Sequence, residues 1–393
     1  MSNDILTPTQ VTREALRILH QKLNFVGRVN RQYDDSYAQK GAKIGSSLKI
    51  RLPNEYTVRT GAVMASQDTS EQSVTVTMAT QKGVDMEFSS QDLTLSLDDY
   101  SERILEPAMS VLAANIEADA LSMYKDVYNQ VNNLGAAATY KKLLEVRKKL
   151  VDNLTPMDKS ATMTLNTQDN VDLVDALKGL FQPSQILAEQ YRDGSLGRTA
   201  GFEFFENTLL VNHTSGTDAS AHTVNGANQT GSSITVATGT GTFVAGDIIT
   251  FAGCNRVHPE TKSDTGELQQ FVVTANYAGG AGNVSISPAI TTSGARQNCA
   301  ASPTNGGAVT KVGGNAEVYG ISLGFHKDAF VFVSADLVMP KGVHFGAREV
   351  MDGISMRIVS AYDITNDTFP ARIDVLYGYE TVRAQLACRF ANN

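Results

Sequence analysis

The sequence predicts an α+β protein whose body is interrupted by an inserted all-β domain. Three observations support this prediction: a long helical stretch with a continuous apolar face, alternating strands on both sides of it, and a glycine-rich segment. The helical stretch spans residues 98–130, and the glycine-rich segment spans about residues 213–316. With 393 residues, of which 42% are hydrophobic, the chain is long enough for two or three domains and a sizeable core.

The composition excludes several classes of protein. A net charge of −8 disfavours wrapping around nucleic acid and binding to anionic membranes. Cys254, Cys299 and Cys388 are far apart in sequence and form no CxxC pair, so neither a zinc site nor a disulfide framework is indicated, which fits a reducing compartment. No run of about 18 apolar residues occurs, and the first residues, MSNDILTPTQ, lack the features of a secretory signal. Neither a membrane span nor secretion is therefore expected.

Residues 7–23 are predicted to form an amphipathic helix. Thr7 or Thr9 can cap it, and its apolar side consists of Val11, Ala15, Leu16, Ile18 and Leu19. Arg13, Arg17 and Lys22 lie outside that side, and residues 1–50 hold eight Lys or Arg against four Asp or Glu. Two interpretations remain: a solvated helix face, or an arm that docks on a partner chain.

Residues 43–88 change to the two-residue period of β-strands. Apolar residues alternate with polar ones at positions 48–52, 74–78 and 84–88. The stretch between the first two strands, residues 54–72, is polar and has too few apolar residues for a core of its own. A long polar hairpin of this kind is expected to rest on something else.

The central helical stretch carries an apolar face at steps of three and four residues. That face consists of Leu105, Met109, Leu112, Ile116, Ala120, Met123 and Val127. Ile104, Ala108 and Val111 widen this face, and Leu121, Tyr124 and Tyr128 add apolar surface on a second side, which predicts a helix between two layers. Asp98 and Asp99 suit its start, and from Pro107 to Gln130 it would extend about 36 Å. Taken alone, the pattern also fits a core helix of a globular enzyme.

The remaining segments alternate before and after the insert. A basic amphipathic helix at 138–153, a strand at 163–166 and a helix at 168–180 indicate an α/β or α+β domain. Sixteen of the 32 glycines lie between Gly216 and Gly314, separating short β-branched runs as in a small sandwich or barrel. A weak helical signal follows, and strands are predicted at 330–333, 336–339, 354–358, 373–377 and 382–390.

No catalytic centre emerges from the motifs. Gly320-Ile-Ser322-Leu-Gly324 matches the nucleophile-elbow pattern, with His326 nearby, but the preceding residues do not form a convincing buried strand and only His344 follows later. Neither a phosphate-binding loop nor a dinucleotide-binding loop is present. The histidines lack metal-ligand spacing, and His258 with its acidic neighbours fits a polar loop. We therefore predict no catalytic residues, no metal and no cofactor.

Five stretches follow one another in a particular order: 88–101 leading into 112–121, then 190–205, 246–275, 325–342 and 352–378. In this order they resemble the major capsid (coat) proteins of tailed double-stranded-DNA bacteriophages, in the subclass that carries an inserted β domain. The resemblance covers most of the chain. It implies the tailed-phage and herpesvirus major capsid fold, called Hong Kong 97-like, with an inserted all-β barrel.

The resemblance also implies a division into domains. Residues 1–40 would form the N-terminal arm and 41–89 the extended loop, and 90–134 with 348–393 would form the P-domain with its spine helix. Residues 135–212 with 317–347 would form the A-domain, and 213–316 the inserted I-domain. The implied contact residues are Arg13, Glu14 and Arg17 for a scaffolding protein, and Arg51, Glu55 and Arg59 for a neighbouring subunit.

By the same resemblance, the chain is a structural, non-enzymatic protein of the icosahedral shell, first as procapsid and then as mature head. The implied partners are copies of itself in pentamers and hexamers, a scaffolding protein and a portal protein, with encapsidated DNA near by but not specifically bound, and no membrane. The implied location is the virion, and the host cytoplasm during assembly. One stretch departs from the family: residues 226–233, where other members carry a long charged loop, are short and uncharged. The alternatives are an esterase-type hydrolase using Ser322 and a secreted surface-layer or adhesive β protein.

Overall fold

The structure, a computed structural model, describes residues 8–34, 46–64, 66–67, 71–88, 104–177, 196–217, 221–343, 345–364 and 369–392. Within these ranges the α-helices are Pro8–Lys22 (α1), Glu106–Leu121 (α2), Tyr140–Asp152 (α3) and Thr167–Leu177 (α4). Short 3-10 helices occur at Ser122–Asp126, Lys327–Ala329 and Ala384–Leu386.

The strands fall into two groups along the chain. Those before the middle of the sequence are β1 (Asn30–Asp34), β2 (Ser46–Arg51), β3 (Ser73–Met78), β4 (Thr80–Phe88), β5 (Gln130–Asn132), β6 (Ala161–Leu165), β7 (Arg198–Thr199) and β8 (Phe202–Glu206). Those that follow are β9 (His213–Thr214), β10 (His222–Val224), β11 (Gly231–Ala237), β12 (Ile248–Val257), β13 (Asp264–Val273), β14 (Gly282–Ile290), β15 (Ala308–Val312), β16 (Val318–His326), β17 (Phe330–Ala335), β18 (Phe345–Met351), β19 (Ile354–Ser360), β20 (Phe369–Thr381) and β21 (Ala387–Asn392).

The chain folds into two compact units, each made of three separate segments. The first unit consists of Met1–Arg51, Ser73–Leu121 and Phe330–Val382. The second unit consists of Leu52–Gln72, Ser122–Ala329 and Arg383–Asn393. Each unit therefore depends on residues that are distant in sequence.

The first unit is built on a six-stranded sheet with the order β1-β17-β20-β19-β18, in which β4 also pairs with β20. β1 runs parallel to β17, and the other pairs are antiparallel. The antiparallel hairpin of β2 and β3 contributes Val76 and Met78 to a buried cluster with Val331, Val333 and Leu376. This burial fixes the base of the hairpin, because a one-residue slip would turn these side chains to the other face.

Helix α2 is held in the first unit by polar contacts as well as by its apolar face. Met109, Leu112, Ile116 and Ala120 are buried. Asp119 accepts a hydrogen bond from the Tyr377 hydroxyl at 2.6 Å and forms an ion pair with Lys82 at 2.7 Å. These contacts join α2 to β20 and β4.

The second unit contains a seven-stranded sheet and a closed barrel. The sheet has the order β5-β21-β16-β6-β8-β7, and β9 also pairs with β16. Helix α3 covers it with Leu143, Val146 and Leu150, which join the core around Met163 and Phe390. The barrel has the order β10-β11-β14-β13-β12-β15, and β10 pairs with β15 to close it. The predicted α+β fold with an inserted all-β barrel is therefore confirmed.

The barrel is attached to the sheet of the second unit by a buried polar cluster. His213 Nε2 lies 2.9 Å from Asp247 Oδ1, and Asp247 also accepts the backbone N–H groups of Gly216 and Val244. Burial alone would raise the pKa of Asp247, but these hydrogen bonds lower it below its usual range. Arg389 of β21 is fully buried and donates to the Gly246 carbonyl at 2.8 Å, so β21 contacts the barrel just before β12 begins.

Several details differ from the sequence-based expectations. Helix α2 ends at Leu121, which makes it about 24 Å long rather than extending to Gln130, and a 3-10 helix follows. Val111, predicted to widen the apolar face, is 60% exposed, whereas Leu121 and Tyr124 of the second side are buried. The weak helical signal after the insert was misleading, because residues 318–326 form strand β16, and residues 336–339 are not a strand. The predicted helix-start acids Asp98 and Asp99 lie outside the described residues.

Candidate assembly surfaces

Helix α1 is amphipathic as predicted, and its apolar side is buried in the first unit. Val11, Ala15 and Leu19 are among the buried residues, and the helix packs against α2 and β18. Lys22 of its last turn forms an ion pair with Glu106, the first residue of α2, at 3.2 Å. The described part of the N-terminal segment is therefore a docked helix with one polar face outward.

The structure brings Arg13, Glu14 and Arg17 together on that outward face. Arg17 Nε donates to Glu14 at 2.9 Å and its Nη1 donates to Gln21 at 3.2 Å. The hydrogen bond with Glu14 raises the pKa of the Arg17 guanidinium. Arg13 is 71% exposed and lies 3.6 Å from Glu349 of the edge strand β18. The face therefore carries two cations: Arg17, which is hydrogen-bonded within its own helix, and Arg13, which is more exposed to solvent.

An open groove of about 390 Å³ runs between this face of α1 and β18. Arg13 and Arg17 line one side, and the partly exposed Val350 and Met351 line the other. Glu14 and Glu349 also line the groove and pair with Arg17 and Arg13, so its charges are balanced. The groove therefore offers charged and apolar contacts side by side, and Arg13 is its more exposed cation.

The three charged residues predicted for the extended loop lie in different settings. Arg51 is the last residue of β2, and its backbone pairs with Ser73 of β3. Arg59 is exposed and donates to the Gly61 carbonyl within its own turn. Glu55 lines a second groove of about 390 Å³ that also includes Arg256, Lys262 and Arg296. The structure thus does not gather Arg51, Glu55 and Arg59 into one surface in the way it gathers the residues of α1.

The connecting segment between β2 and β3 shows a feature that the sequence analysis missed. Apolar side chains are fully open to solvent there: Val58 is 95% exposed, Val63 86% and Met64 80%. Tyr56 is exposed as well. Several exposed apolar side chains on one segment form a surface suited to burial against another chain. Attention to Val, Met and Tyr within the polar stretch, rather than to its charges, would have indicated this.

The inserted barrel carries a compact turn between β10 and β11, at the stretch where the resemblance implies a long charged loop. Residues 225–230 connect β10 and β11. The Gln229 side chain accepts a hydrogen bond from the Thr235 N–H and donates one to the Thr235 carbonyl. Gln229 also donates to the Asn225 carbonyl at 2.7 Å. The turn is closed by its own hydrogen bonds.

Ser322 does not have the geometry of a hydrolase nucleophile. It lies inside strand β16, fully buried, where its hydroxyl donates to Asp169 and accepts the Asn166 N–H at 2.9 Å. A nucleophile elbow instead places its serine on an exposed turn from strand to helix. The flanking glycines have a packing role, because a Cβ at Gly320 would lie 2.4 Å from the Asn166 side chain. The motif therefore joins β16 to α4, and the esterase alternative is not supported.

Two searches of the described residues bear on other kinds of site. No helix in the described ranges has both the length and the apolar character required to cross a membrane. The same residues contain no group of three or more His, Cys, Asp or Glu side chains arranged to hold a metal ion.

Solved structures of phage capsids are similar to this chain at low sequence identity. A structure from Mycobacterium phage Che8 matches with a TM-score of 0.46 and 13% identity, covering 94% of this chain and 90% of that chain. The capsid structure of Cyanophage P-SCSP1u matches with a TM-score of 0.45 and 9% identity, covering 94% and 89%. The mature capsid of bacteriophage PhiM1 matches with a TM-score of 0.45 and 10% identity, covering 94% and 87%. These TM-scores lie below 0.5, so the family conclusion does not depend on them.

Sequence comparison supplies the family. No curated protein matches the chain. The family model for the P22 coat protein, gene protein 5, matches residues 8–388, which is nearly the whole sequence. This match confirms the predicted resemblance to phage coat proteins and leaves the surface-layer alternative without support. The chain belongs to the P22 coat protein family and is a structural protein of the virion capsid.

Proposed function

We propose that this coat protein assembles into an icosahedral shell of pentamers and hexamers, first as a procapsid and then as the mature head around double-stranded DNA. The observation that supports this most directly is the exposed apolar tip between β2 and β3. Val76 and Met78 of β3 are buried in the core of the first unit, whereas Val58, Val63 and Met64 of the connecting segment are at least 80% exposed. Burying such side chains against a neighbouring subunit stabilises the contact by roughly 1.5–3 kcal/mol each.

The domain division proposed for this function follows the family. The N-terminal arm comprises residues 1–40, the extended loop 41–89, and the P-domain 90–134 with 348–393. The A-domain comprises 135–212 with 317–347, and the I-domain 213–316. In this scheme the extended loop lies on a neighbouring subunit, with Arg51, Glu55 and Arg59 adding charge contacts around the apolar tip.

The partner proposed for α1 is a scaffolding protein. Arg13, Glu14 and Arg17 form the outward face of that helix, and the adjacent groove places the 71% exposed Arg13 beside the apolar side chains of Val350 and Met351. An acidic amphipathic segment of the scaffold would match both features. Assembly would take place in the host cytoplasm, with a portal protein occupying one vertex and DNA held inside without specific contacts.

The test is expression of the chain together with its scaffolding protein, followed by sedimentation and electron microscopy. We expect closed shells of uniform size from the unmodified chain. The triple variant Val58→Ser, Val63→Ser and Met64→Ser should keep the melting temperature of the monomer and lower the shell yield by more than about tenfold. Exposed Val171 of α4 offers a matched control, and Val171→Ser should assemble normally. Small soluble oligomers from the unmodified chain, or normal shells from the triple variant, would contradict the proposal.

A further inference from the structure

Two of the three cysteines, which are distant in sequence, meet inside the barrel. Cys254 Sγ lies 2.9 Å from Cys299 Sγ, and both side chains are fully buried in the apolar core of the barrel. Both are free thiols. A disulfide bond is about 2.05 Å long, so the two sulfur atoms are less than about 1 Å beyond bonding distance. Cys388 is the only other cysteine in the sequence, and it lies in the separate core beneath α3.

The backbone around the pair is held in place on both sides. Cys254 belongs to β12, and Cys299 belongs to the segment that crosses from β14 to β15. The crossing segment is bonded to β12 at three points: Val257 N–H to the Asn298 carbonyl at 3.2 Å, Ala300 N–H to Asn255 at 2.8 Å and Thr304 N–H to Ala252 at 3.0 Å. The two thiols are thus kept adjacent by the fold, and a small shift of the crossing segment brings the sulfur atoms to bonding distance.

The surroundings of the pair argue against a metal site and against a highly reactive thiol. The described residues supply no third ligand that would make a metal site with it. The hydrogen bond with Cys254 and burial raise the pKa of the Cys299 thiol. A thiol with a raised pKa reacts slowly, because the thiolate is the nucleophile. The pair therefore stays reduced in a reducing cell and reacts only when the barrel opens locally in an oxidising medium.

We propose that Cys254 and Cys299 form an intrachain disulfide when the particle is exposed to an oxidising medium, and that this bond fastens the crossing segment to β12. The oxidant is a low-molecular-weight disulfide. The thiolate of one cysteine attacks a sulfur of that disulfide and releases one thiol, and the second cysteine then displaces the other. Two cysteine thiols and one small disulfide become one protein disulfide and two small thiols. One premise of this proposal, that the particle passes from the host cell into an oxidising medium, rests on the proposed function.

The consequence is a barrel that resists unfolding. The bond would close a loop between residues separated by 45 positions in sequence, which restricts the unfolded chain. We expect the melting temperature of the barrel to rise by several degrees on oxidation and to return on reduction.

The test uses assembled full-length protein incubated with oxidised glutathione at a temperature where the barrel opens transiently. Denaturation in an alkylating reagent, trypsin digestion and mass spectrometry then identify the free and bonded cysteines. Trypsin cleaves after Arg256, Lys262 and Arg296, so Cys254 and Cys299 fall in different peptides unless a bond joins them. We expect a joined pair of peptides two hydrogens lighter than the sum, with Cys388 alkylated.

Controls separate this inference from a general effect of oxidant. Cys388→Ala should retain the joined peptides and the shift in melting temperature, while Cys254→Ala and Cys299→Ala should lose both. If a variant fails to fold, the peptide map of the unmodified protein still decides. Three alkylated cysteines after prolonged oxidation, a bond to Cys388, or glutathione adducts alone would overturn the proposal. Micrographs of the same sample show whether shells are present, so a missing disulfide in intact shells contradicts this inference and not the assembly function.

Discussion

At the scale of single residues, Glu117 is the clearest case of a charge that the fold makes costly. Its side chain is 1% exposed in the middle of α2, where its two oxygens accept the N–H groups of Phe25 and Val26 at 3.0 and 3.2 Å. Burial raises the pKa of Glu117 to about 7, although the two backbone hydrogen bonds partly oppose the shift. The folded protein therefore binds a proton at this site more tightly than the unfolded chain does.

This shift predicts a pH dependence with a definite sign. The stability contributed by the protonated carboxyl is complete below its unfolded pKa of about 4.5 and is lost as the pH rises through about 7. For a shift of this size the loss is on the order of 3 kcal/mol. Urea unfolding of the first unit at pH 5 and pH 8 should show it, and Glu117→Gln should remove most of the difference between the two pH values. An equal pH slope in the variant would rule out Glu117 as the source.

Sequence reasoning performed unevenly at this scale. Arg13, Glu14 and Arg17 were found together because spacings of three and four bring residues onto one helix face, which requires no tertiary information. Arg51, Glu55 and Arg59 share a spacing of four, but an extended segment gives that spacing no meaning, and of the three only Glu55 lines the groove with Arg256 and Lys262. The approach of Cys254 to Cys299 depends on where the crossing segment returns along β12, which no local pattern records.

At the scale of elements, α1 joins the first unit through its apolar side while its charged face remains available. We predict that Arg13→Glu with Arg17→Glu lowers scaffold-directed assembly more than it lowers the stability of the subunit. Exposed ion pairs contribute little to folding, whereas the charge of a docking face affects the rate and specificity of association. Assembly yield at low and moderate salt, together with the melting temperature, measures both effects. Lys141→Glu with Lys159→Glu, at two exposed positions, changes the net charge by the same amount and serves as the control. Unchanged yield in the double arginine variant would contradict a scaffold role for α1.

The barrel is the element most complete in itself. All its strands lie within residues 222–312, and their side chains form one core that includes Ile234, Phe251 and Phe271. We predict that residues 213–316 fold when expressed alone, since about 100 residues is an ordinary domain size. Amide NMR spectra should be dispersed and the fragment should melt cooperatively. Random-coil shifts would instead mean that the segment orders only within the subunit.

A sequence pattern locates strands whose residues alternate between buried and exposed positions, and it misses strands that lack this alternation. β3 alternates between exposed and buried positions and was located from the period of two. Residues 319–326 of β16 are all buried, and a strand covered on both faces shows no alternation, so a weak helical signal was preferred. β1, with the sequence NRQYD, has no apolar pattern, and it is a strand only because it pairs in parallel with β17. Pairing between distant segments is what a local pattern cannot contain.

At the scale of the whole molecule, the net charge of the chain affects how strongly a shell binds the DNA inside it. The chain has 33 Lys and Arg against 41 Asp and Glu. Binding of proteins to double-stranded DNA depends largely on neutralising phosphates with cations and on releasing counterions. We predict that assembled shells retain no double-stranded DNA at physiological salt in sedimentation or gel-shift assays. DNA retention that falls steeply with added salt would contradict this prediction and would indicate a basic inner surface despite the negative net charge.

One inner strand of each sheet, β20 in the first and β21 in the second, comes from the same short stretch of chain, residues 369–392. β20 lies between β17 and β19 and also pairs with β4, while β21 lies between β5 and β16. On a translating ribosome, the barrel can close once residue 312 has emerged, but neither sheet can be completed before residues 369–392 have followed. A chain that ends before residue 369 would form its barrel, but each sheet would lack one inner strand. Such a chain would also lack complete surfaces for contact with neighbouring subunits. Full-length synthesis is thus a condition for joining the shell, so the architecture of the subunit screens out truncated copies before they can be built into a particle.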